Sequence, residues 1–224
     1  MEKYAVIVAG GSGSRMGSPI PKQFLLLQDK PVLWHTLTAF LDSFPDMQII
    51  LVLPELHLDA GHAIAHSTRD PSRISLAKGG ATRFHSVKNG LDKVHNDAVV
   101  FIHDGVRCLL TPGLIRRCYD AAIDKGNAIP AIKSVDAVRI ETPGGNESID
   151  KNKVHIIQTP QTFLSGIIKR AFQQEYQDHF TDEAAVAEQM GIGIHLIEGE
   201  DNNIKITKPV DLFIAEKILE SRRS

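Results

Sequence analysis

The densest chemistry in this chain sits directly after its first apolar run, in Ala9-Gly10-Gly11-Ser12-Gly13-Ser14-Arg15-Met16-Gly17, with Pro21-Lys22-Gln23 close behind. Glycines let a backbone turn tightly and bring its N–H groups against an anion with no Cβ in the way. A dinucleotide-binding fingerprint starting at Gly11 requires glycine at position 16, where Met16 stands. A P-loop ends in Gly-Lys-Ser/Thr, and that tripeptide does not occur in the sequence. What remains is a phosphate cradle that carries Arg15 and, seven residues on, Lys22. Two fixed cations beside a polyphosphate suit phosphoryl or nucleotidyl transfer, where charge grows on phosphate oxygens in the transition state.

Other chemistry-bearing residues lie further along. Asp104 follows the apolar run Ala98 to His103 and so falls at the same rim as the glycine loop. Lys205 sits among apolar residues of period two in Asn203-Ile204-Lys205-Ile206-Thr207, a setting in which a lysine ordinarily faces water. Among ten histidines, His62 and His66 are four apart on a predicted helix, but Ala63-Ile64-Ala65 between them lacks the glutamate of a zinc protease motif. Surface histidines are the expectation there, and a third ligand at His57 has no support.

The elements that must position these residues alternate. Tyr4 to Ala9, Gln48 to Leu53, Ile74 to Ala77, Ala98 to His103 and Asn127 to Ile132 are near-continuously apolar, as strands buried on both faces are. Between them Leu33, Leu37, Phe40 and Leu41 recur at helical spacing, as do Phe84, Val87, Leu91 and Val94, then Leu114, Ile115, Cys118 and Ala122. Thr111-Pro112 is a cap and first-turn pair for the last of these. The pattern predicts a Rossmann-like α/β fold: a doubly wound, mostly parallel sheet in a single domain over 1–224. One stretch departs from it. Val135 to Ile157 reads as strand, a turn at Pro143-Gly144-Gly145-Asn146, and strand again, a β-hairpin inserted at about 135–157. Such an arm either packs on a partner subunit or is a surface excursion. Two helical segments, a strand near Ile192 to Ile197 and a helix opening at Pro209 are expected after it.

Composition narrows the function classes. The chain has 224 residues, 42% hydrophobic and 23% charged, with a formal net charge of −2. No basic excess marks it for bulk nucleic-acid binding, although a few local cations suffice for a small anionic substrate. Two cysteines, Cys108 and Cys118, read as reduced thiols. With no leader-like start and no apolar run of membrane-spanning length, a cytoplasmic protein without membrane partners is expected.

The cradle followed by Pro-Lys-Gln resembles the nucleotidyltransferases, and among them the cytidylyltransferases that join CTP to 2-C-methyl-D-erythritol 4-phosphate in isoprenoid precursor synthesis. Gly79-Gly80-Ala81-Thr82-Arg83-Phe84-His85-Ser86-Val87, His103-Asp104-Gly105-Val106-Arg107, Gln158-Thr159-Pro160-Gln161, Thr181-Asp182-Glu183 and Asn203 to Thr207 match in order, nearly end to end. The resemblance implies that Ala9, Gly10, Gly11 and Gly13 line the triphosphate, with Arg15 and Lys22 at the α-phosphorus. It implies cytosine and ribose contacts at Gly80, Ala81 and Ser86. Asp104 lies between nucleotide and acceptor, where it either bonds acceptor hydroxyls or approaches Mg²⁺, the expected divalent cofactor. Arg107 is a phosphate or scaffold contact, or a partner for Asp104. Lys205 positions the acceptor together with Thr181 and Thr159. An ionised phosphate nucleophile needs no general base, consistent with a sequence that offers no Ser-His-Asp set.

Two departures fall in the hairpin. Asp136-Ala137 stands where Asp-Thr or Asp-Ser is common, and Asp150-Lys151 where arginine usually follows the aspartate. In the family these groups belong to the partner subunit's arm and bind the acceptor phosphate, so the resemblance implies a homodimer and a catalytic role for Lys151. Lysine keeps the charge and loses the guanidinium fork. A third departure, Cys108 in place of a usual proline, removes no charged group. The rivals are a ribitol-5-phosphate cytidylyltransferase and, from another class, a non-catalytic nucleotide-binding regulator. Arg15, Lys22 and Lys205 speak against the regulator, because a sensor has no use for transition-state cations.

Overall fold

The computed structural model describes residues 1–11, 16–95 and 97–222. Gly13 and Arg15 of the expected cradle lie outside them. In chain order the elements are β1 (Glu2–Val8), β2 (Leu26–Leu27), β3 (Lys30–Pro31), α1 (Val32–Ser43), β4 (Met47–Leu53), α2 (Leu58–His66), β5 (Ile74–Lys78), α3 (Arg83–Leu91), β6 (Ala98–Asp104), α4 (Pro112–Lys125) and β7 (Asn127–Lys133). Then follow β8 (Val138–Thr142), β9 (Gly145–Ile149), β10 (His155–Ile157), β11 (Gln161–Leu164), α5 (Ser165–Ala171), α6 (Glu183–Glu188), β12 (Leu196–Glu198) and α7 (Pro209–Ser221).

The expected architecture is present. β6, β1, β4 and β5 run side by side and parallel, so their carboxyl ends share one rim. Alternate residues of each strand enter opposite layers, because successive strand side chains point to opposite faces. Tyr4, Val6, Val8, Val100 and Ile102 pack with Phe84 and Val87 of α3 and with Ile168 and Phe172 beside α5. Ala5, Ile7, Val99 and Phe101 pack with Leu37 and Phe40 of α1 and Leu114 and Ile115 of α4. Each of these fully buried large side chains contributes about 1.5–3 kcal/mol, which is why such strands read as unbroken apolar runs. Caps fix the helix starts. Thr111 Oγ1 accepts from the Leu114 N–H at 3.1 Å ahead of Pro112, and Thr82 caps α3. Gly126, at φ +87°, ends α4 in the left-handed conformation that glycine adopts without strain.

Three expectations need correction. The predicted strand pair over Val135 to Ile157 is shorter: β8 and β9 pair only over Val138–Thr142 and Gly145–Ile149, while β10 returns to the main sheet antiparallel to β7. The strand β11 has no counterpart in the sequence pattern. It enters antiparallel between β6 and β7, making the sheet mixed at that side. The strand expected near Ile192 to Ile197 is confined to Leu196–Glu198, pairing parallel with β7.

Candidate active site

The carboxyl ends of β1, β4, β5 and β6 surround a cavity of about 520 Å³. Its lining includes Ala9, Gly10 and Gly11 after β1, Pro54 and Glu55 after β4, and Gly79 to Arg83 after β5, with Ser86, Asp104 and Lys205. Ligand sites in open α/β sheets form at this edge.

Lys22 reaches the cavity through a short anchored turn. Pro21 precedes a 3-10 turn over Lys22–Phe24, and Gln23, 1% exposed, donates from Nε2 to the Ala9 carbonyl at 2.9 Å. The Pro-Lys-Gln order therefore has a mechanical meaning: glutamine ties the turn to the glycine loop and holds the buried lysine beside it.

The opposite wall is built from backbone. The Gly79 N–H donates to Leu53 O at 2.8 Å, and the Gly80 N–H donates to Ser86 Oγ at 3.1 Å. Ser86 Oγ in turn donates to Thr82 O at 2.9 Å, so its hydroxyl organises the turn as well as facing the cavity. A Cβ on Gly80 would lie 2.4 Å from His85 Cβ and 3.0 Å from its carbonyl carbon, closer than atoms pack, so this position admits only glycine.

Asp104 is the electrostatic centre. Its Oδ2 lies 2.8 Å from Lys205 Nζ and 3.7 Å from Arg107 Nε, and its Oδ1 accepts from Arg83 Nε and Nη2 at 3.3 Å each. Burial alone would push this carboxyl upward. Arg83, Lys205 and Arg107 more than reverse that and hold it well below the usual carboxylate range. Arg83 also donates through Nη1 and Nη2 to the two oxygens of Glu183, which is 0% exposed.

Beneath Asp104 runs a directional chain. His103 Nε2 lies 3.1 Å from the Arg107 carbonyl, which can only accept, so Nε2 carries the proton. Nδ1 is then the acceptor for Thr159 Oγ1–H at 2.9 Å, and Thr159 Oγ1 accepts from the Asp104 N–H at 3.2 Å. Burial pushes the His103 imidazole down to about 3, keeping it neutral. Arg107 Nη1 donates to Asn203 O at 2.9 Å, and Asn203 Nδ2 donates to Thr159 O at 2.9 Å.

Of the expected site residues, Ala9, Gly10, Gly11, Lys22, Gly80, Ala81, Ser86, Asp104 and Lys205 line the cavity together. Arg107 stands behind Asp104 as its partner and as a tie to Asn203. Thr159 is 5% exposed, and its hydroxyl bonds to the Asp104 N–H and to His103 beneath the cavity. Thr181 is exposed outside the cavity lining, one residue before the α6 cap Asp182. Lys151 is exposed and donates to its own chain's Val135 O at 3.0 Å, also outside the lining. His62 and His66 are exposed, and among the described residues no cluster of three or more His, Cys, Asp or Glu could hold a metal ion. Arg83 and Glu183 received no individual role from the sequence; the only signal was their presence inside matched segments.

Glycine-bearing loops at the carboxyl rim of a doubly wound sheet, with Lys22 and Lys205 lining the same cavity, are the arrangement of a nucleotidyltransferase. Within that class the chain belongs to the 2-C-methyl-D-erythritol 4-phosphate cytidylyltransferase family, whose model matches residues 4–221. A protein of that name from Bacteroides fragilis is 46% identical over 219 residues, covering 98% of this chain and 100% of the relative. One from Porphyromonas gingivalis is 40% identical over 221 residues, 98% of this chain and 99% of its own. Among solved structures, a 4-diphosphocytidyl-2C-methyl-D-erythritol synthase from Anaerococcus prevotii superposes with a TM-score of 0.84 at 27% identity, covering 98% of this chain and 96% of the other. The cytidylyltransferase of Francisella tularensis gives 0.80 at 29%, covering 97% and 100%.

Proposed function

We infer that this chain performs the reaction for which its family is named, transfer of a cytidylyl group from CTP to 2-C-methyl-D-erythritol 4-phosphate. The products are 4-diphosphocytidyl-2-C-methyl-D-erythritol and pyrophosphate. An oxygen of the acceptor phosphate attacks the α-phosphorus of CTP, and the bond from that phosphorus to the β-phosphate bridging oxygen breaks. The electron pair leaves with pyrophosphate. Two anions must meet, so positive charge at the junction is the main requirement. The observation that carries this reading is the cavity itself, in which Lys22 stands on the cradle side and Lys205 beside Asp104.

Roles follow from placement. Gly10 and Gly11 offer backbone to the triphosphate, and Gly80, Ala81 and Ser86 form the wall assigned to cytosine and ribose, where Gly80 has no room for a Cβ. Lys22 stabilises charge at the α-phosphorus; the resemblance gives Arg15 the same role and adds Gly13 to the cradle, and both lie outside the described residues. Asp104 orients Lys205 and accepts from acceptor hydroxyls. As a resident metal ligand it does not fit, because both of its oxygens already face cations. Mg²⁺ is assigned to the triphosphate of CTP, entering with the substrate.

Lys151 and the ribbon carrying it are assigned to the partner's site in a homodimer, with Thr181 on the acceptor side. Support comes from the arm's exposure and its pairing only with itself. The whole chain acts as one catalytic domain. No described helix is long and apolar enough to cross a membrane, and both cysteines are buried and free, in keeping with a cytoplasmic enzyme. Pyrophosphate release from CTP with methylerythritol phosphate tests the assignment. Release with ribitol 5-phosphate alone would replace the acceptor, and CTP binding without release from either would replace the enzyme by a regulator.

A further inference from the structure

Arg83 and Glu183 are a hundred residues apart, yet they form an ion pair whose carboxylate is fully buried. Arg83 opens α3, directly after the loop assigned to the nucleotide base. Glu183 opens α6, two residues after Thr181 on the acceptor side. Both oxygens of Glu183 accept from Arg83, through Nη1 and, at 3.2 Å, Nη2. This two-pronged contact alone would satisfy a structural pair. Arg83 does more, turning Nε and Nη2 onto Asp104 Oδ1, which leaves Oδ2 for Lys205. The start of α6 is itself fixed. Gln161 Nε2 donates to Asp182 Oδ2 at 2.9 Å, and the Ala184 N–H donates to Gln161 Oε1 at 2.8 Å. Burying a carboxylate is costly, and a neutral side chain would fill the same space.

We propose that Glu183 is a positioning residue: it clamps Arg83, Arg83 fixes the Asp104 carboxylate, and the bridge ties the acceptor half of the site to the nucleotide half. The proposal rests on the functional reading above. It makes Glu183 act through one arginine, so its effect falls on the acceptor and spares CTP.

The test compares the wild-type protein with Glu183→Gln, Arg83→Lys and the double variant. Each single variant is expected to lose about ten- to a hundredfold in kcat/KM for methylerythritol phosphate, the worth of a hydrogen bond to a charged group. Calorimetric affinity for CTP, measured without acceptor, should stay within about threefold, and the double variant should match Arg83→Lys within the same margin. Wild-type acceptor kinetics in Arg83→Lys, an equal loss of CTP affinity, or losses that multiply in the double variant would each overturn the proposal. If Glu183→Gln does not fold by circular dichroism, Arg83→Lys alone decides. A wild type that releases no pyrophosphate with methylerythritol phosphate overturns the functional reading instead. The bridge is then judged by hydrogen exchange in the ligand-free protein: the amides at 184–186 should exchange faster than wild type in Glu183→Gln and Arg83→Lys alike, and unchanged exchange in Arg83→Lys would overturn it.

Discussion

The two walls of the proposed reaction centre are made differently. The nucleotide wall is backbone at strand ends: Gly79 is bonded to Leu53, Gly80 to Ser86, and Ala9 to both Val52 and Gln23. Those bonds tie neighbouring strand ends together, so the described part of this wall is held by the sheet edge itself. The arm is the reverse. β8 and β9 bond to each other, their side chains point outward, and Val135 and Ile140 are 82% and 46% exposed. Lys151 sits at its base with its ammonium on a neighbouring carbonyl, away from the cavity. A wall of backbone amides can be completed by one chain because its geometry is set by the sheet. A wall of long side chains on a ribbon needs something to receive it.

Removing charge from the nucleotide wall should have the largest effect. Lys22→Ala is expected to lower kcat on the order of a hundredfold or more while changing CTP affinity much less, since its contact tightens as phosphate charge develops. Parallel steady-state and calorimetric measurements separate the two, and near-normal turnover would refute the role. On the arm, Lys151→Ala should raise KM for methylerythritol phosphate about ten- to a hundredfold and leave that for CTP unchanged. The reverse change, Lys151→Arg with Ala137→Thr, should lower it, and a shift in preference toward ribitol 5-phosphate would show that the acceptor is misassigned. Gly80→Ala drives a Cβ into His85, an overpacking expected to cost about 1–3 kcal/mol and to weaken CTP binding about tenfold.

The smallest effect is on stability. His103 titrates near 3 in the folded chain against an ordinary 6.5. Between those values the unfolded chain holds a proton there that the folded chain refuses. Stability should therefore fall as pH drops below about 6.5, by up to about 1.4 kcal/mol per unit, with no contribution above it. Urea melts at pH 7, 6 and 5 should show that slope in the wild type and a shallower one in His103→Gln; equal slopes would contradict the buried neutral histidine.

What the sequence made legible follows the same division. Strands buried on both faces announce themselves, and Ala98 to Asp104 was placed almost to the residue. β11 did not, because it is four residues long, begins with Gln161 and Thr162, and owes its place to neighbours distant in the chain. The glycine loop and Lys22 could be read because their chemistry is local. The Glu183–Arg83–Asp104 bridge could not, since nothing in a linear pattern says that Asp104 and Glu183 share one hydrogen-bonding arginine. The partners of the Thr159 hydroxyl, His103 and the Asp104 amide, were hidden for a related reason, since they depend on how β11 enters the sheet.

The central claim, one wall per chain and the second lent by a partner, is tested most directly by complementation. Assayed with methylerythritol phosphate at or below its wild-type KM, the Lys22→Ala and Lys151→Ala proteins each keep only a small fraction of the wild-type rate on this account. Mixed in equal amounts and allowed to exchange subunits, half of the dimers become heterodimers, and each holds one site with both lysines intact. Pyrophosphate release should then recover to about a quarter of the wild-type rate, as a two-fold dimer with shared sites requires. Activity that stays at the average of the two variants after verified subunit exchange would contradict it, placing Lys151 in the service of its own chain.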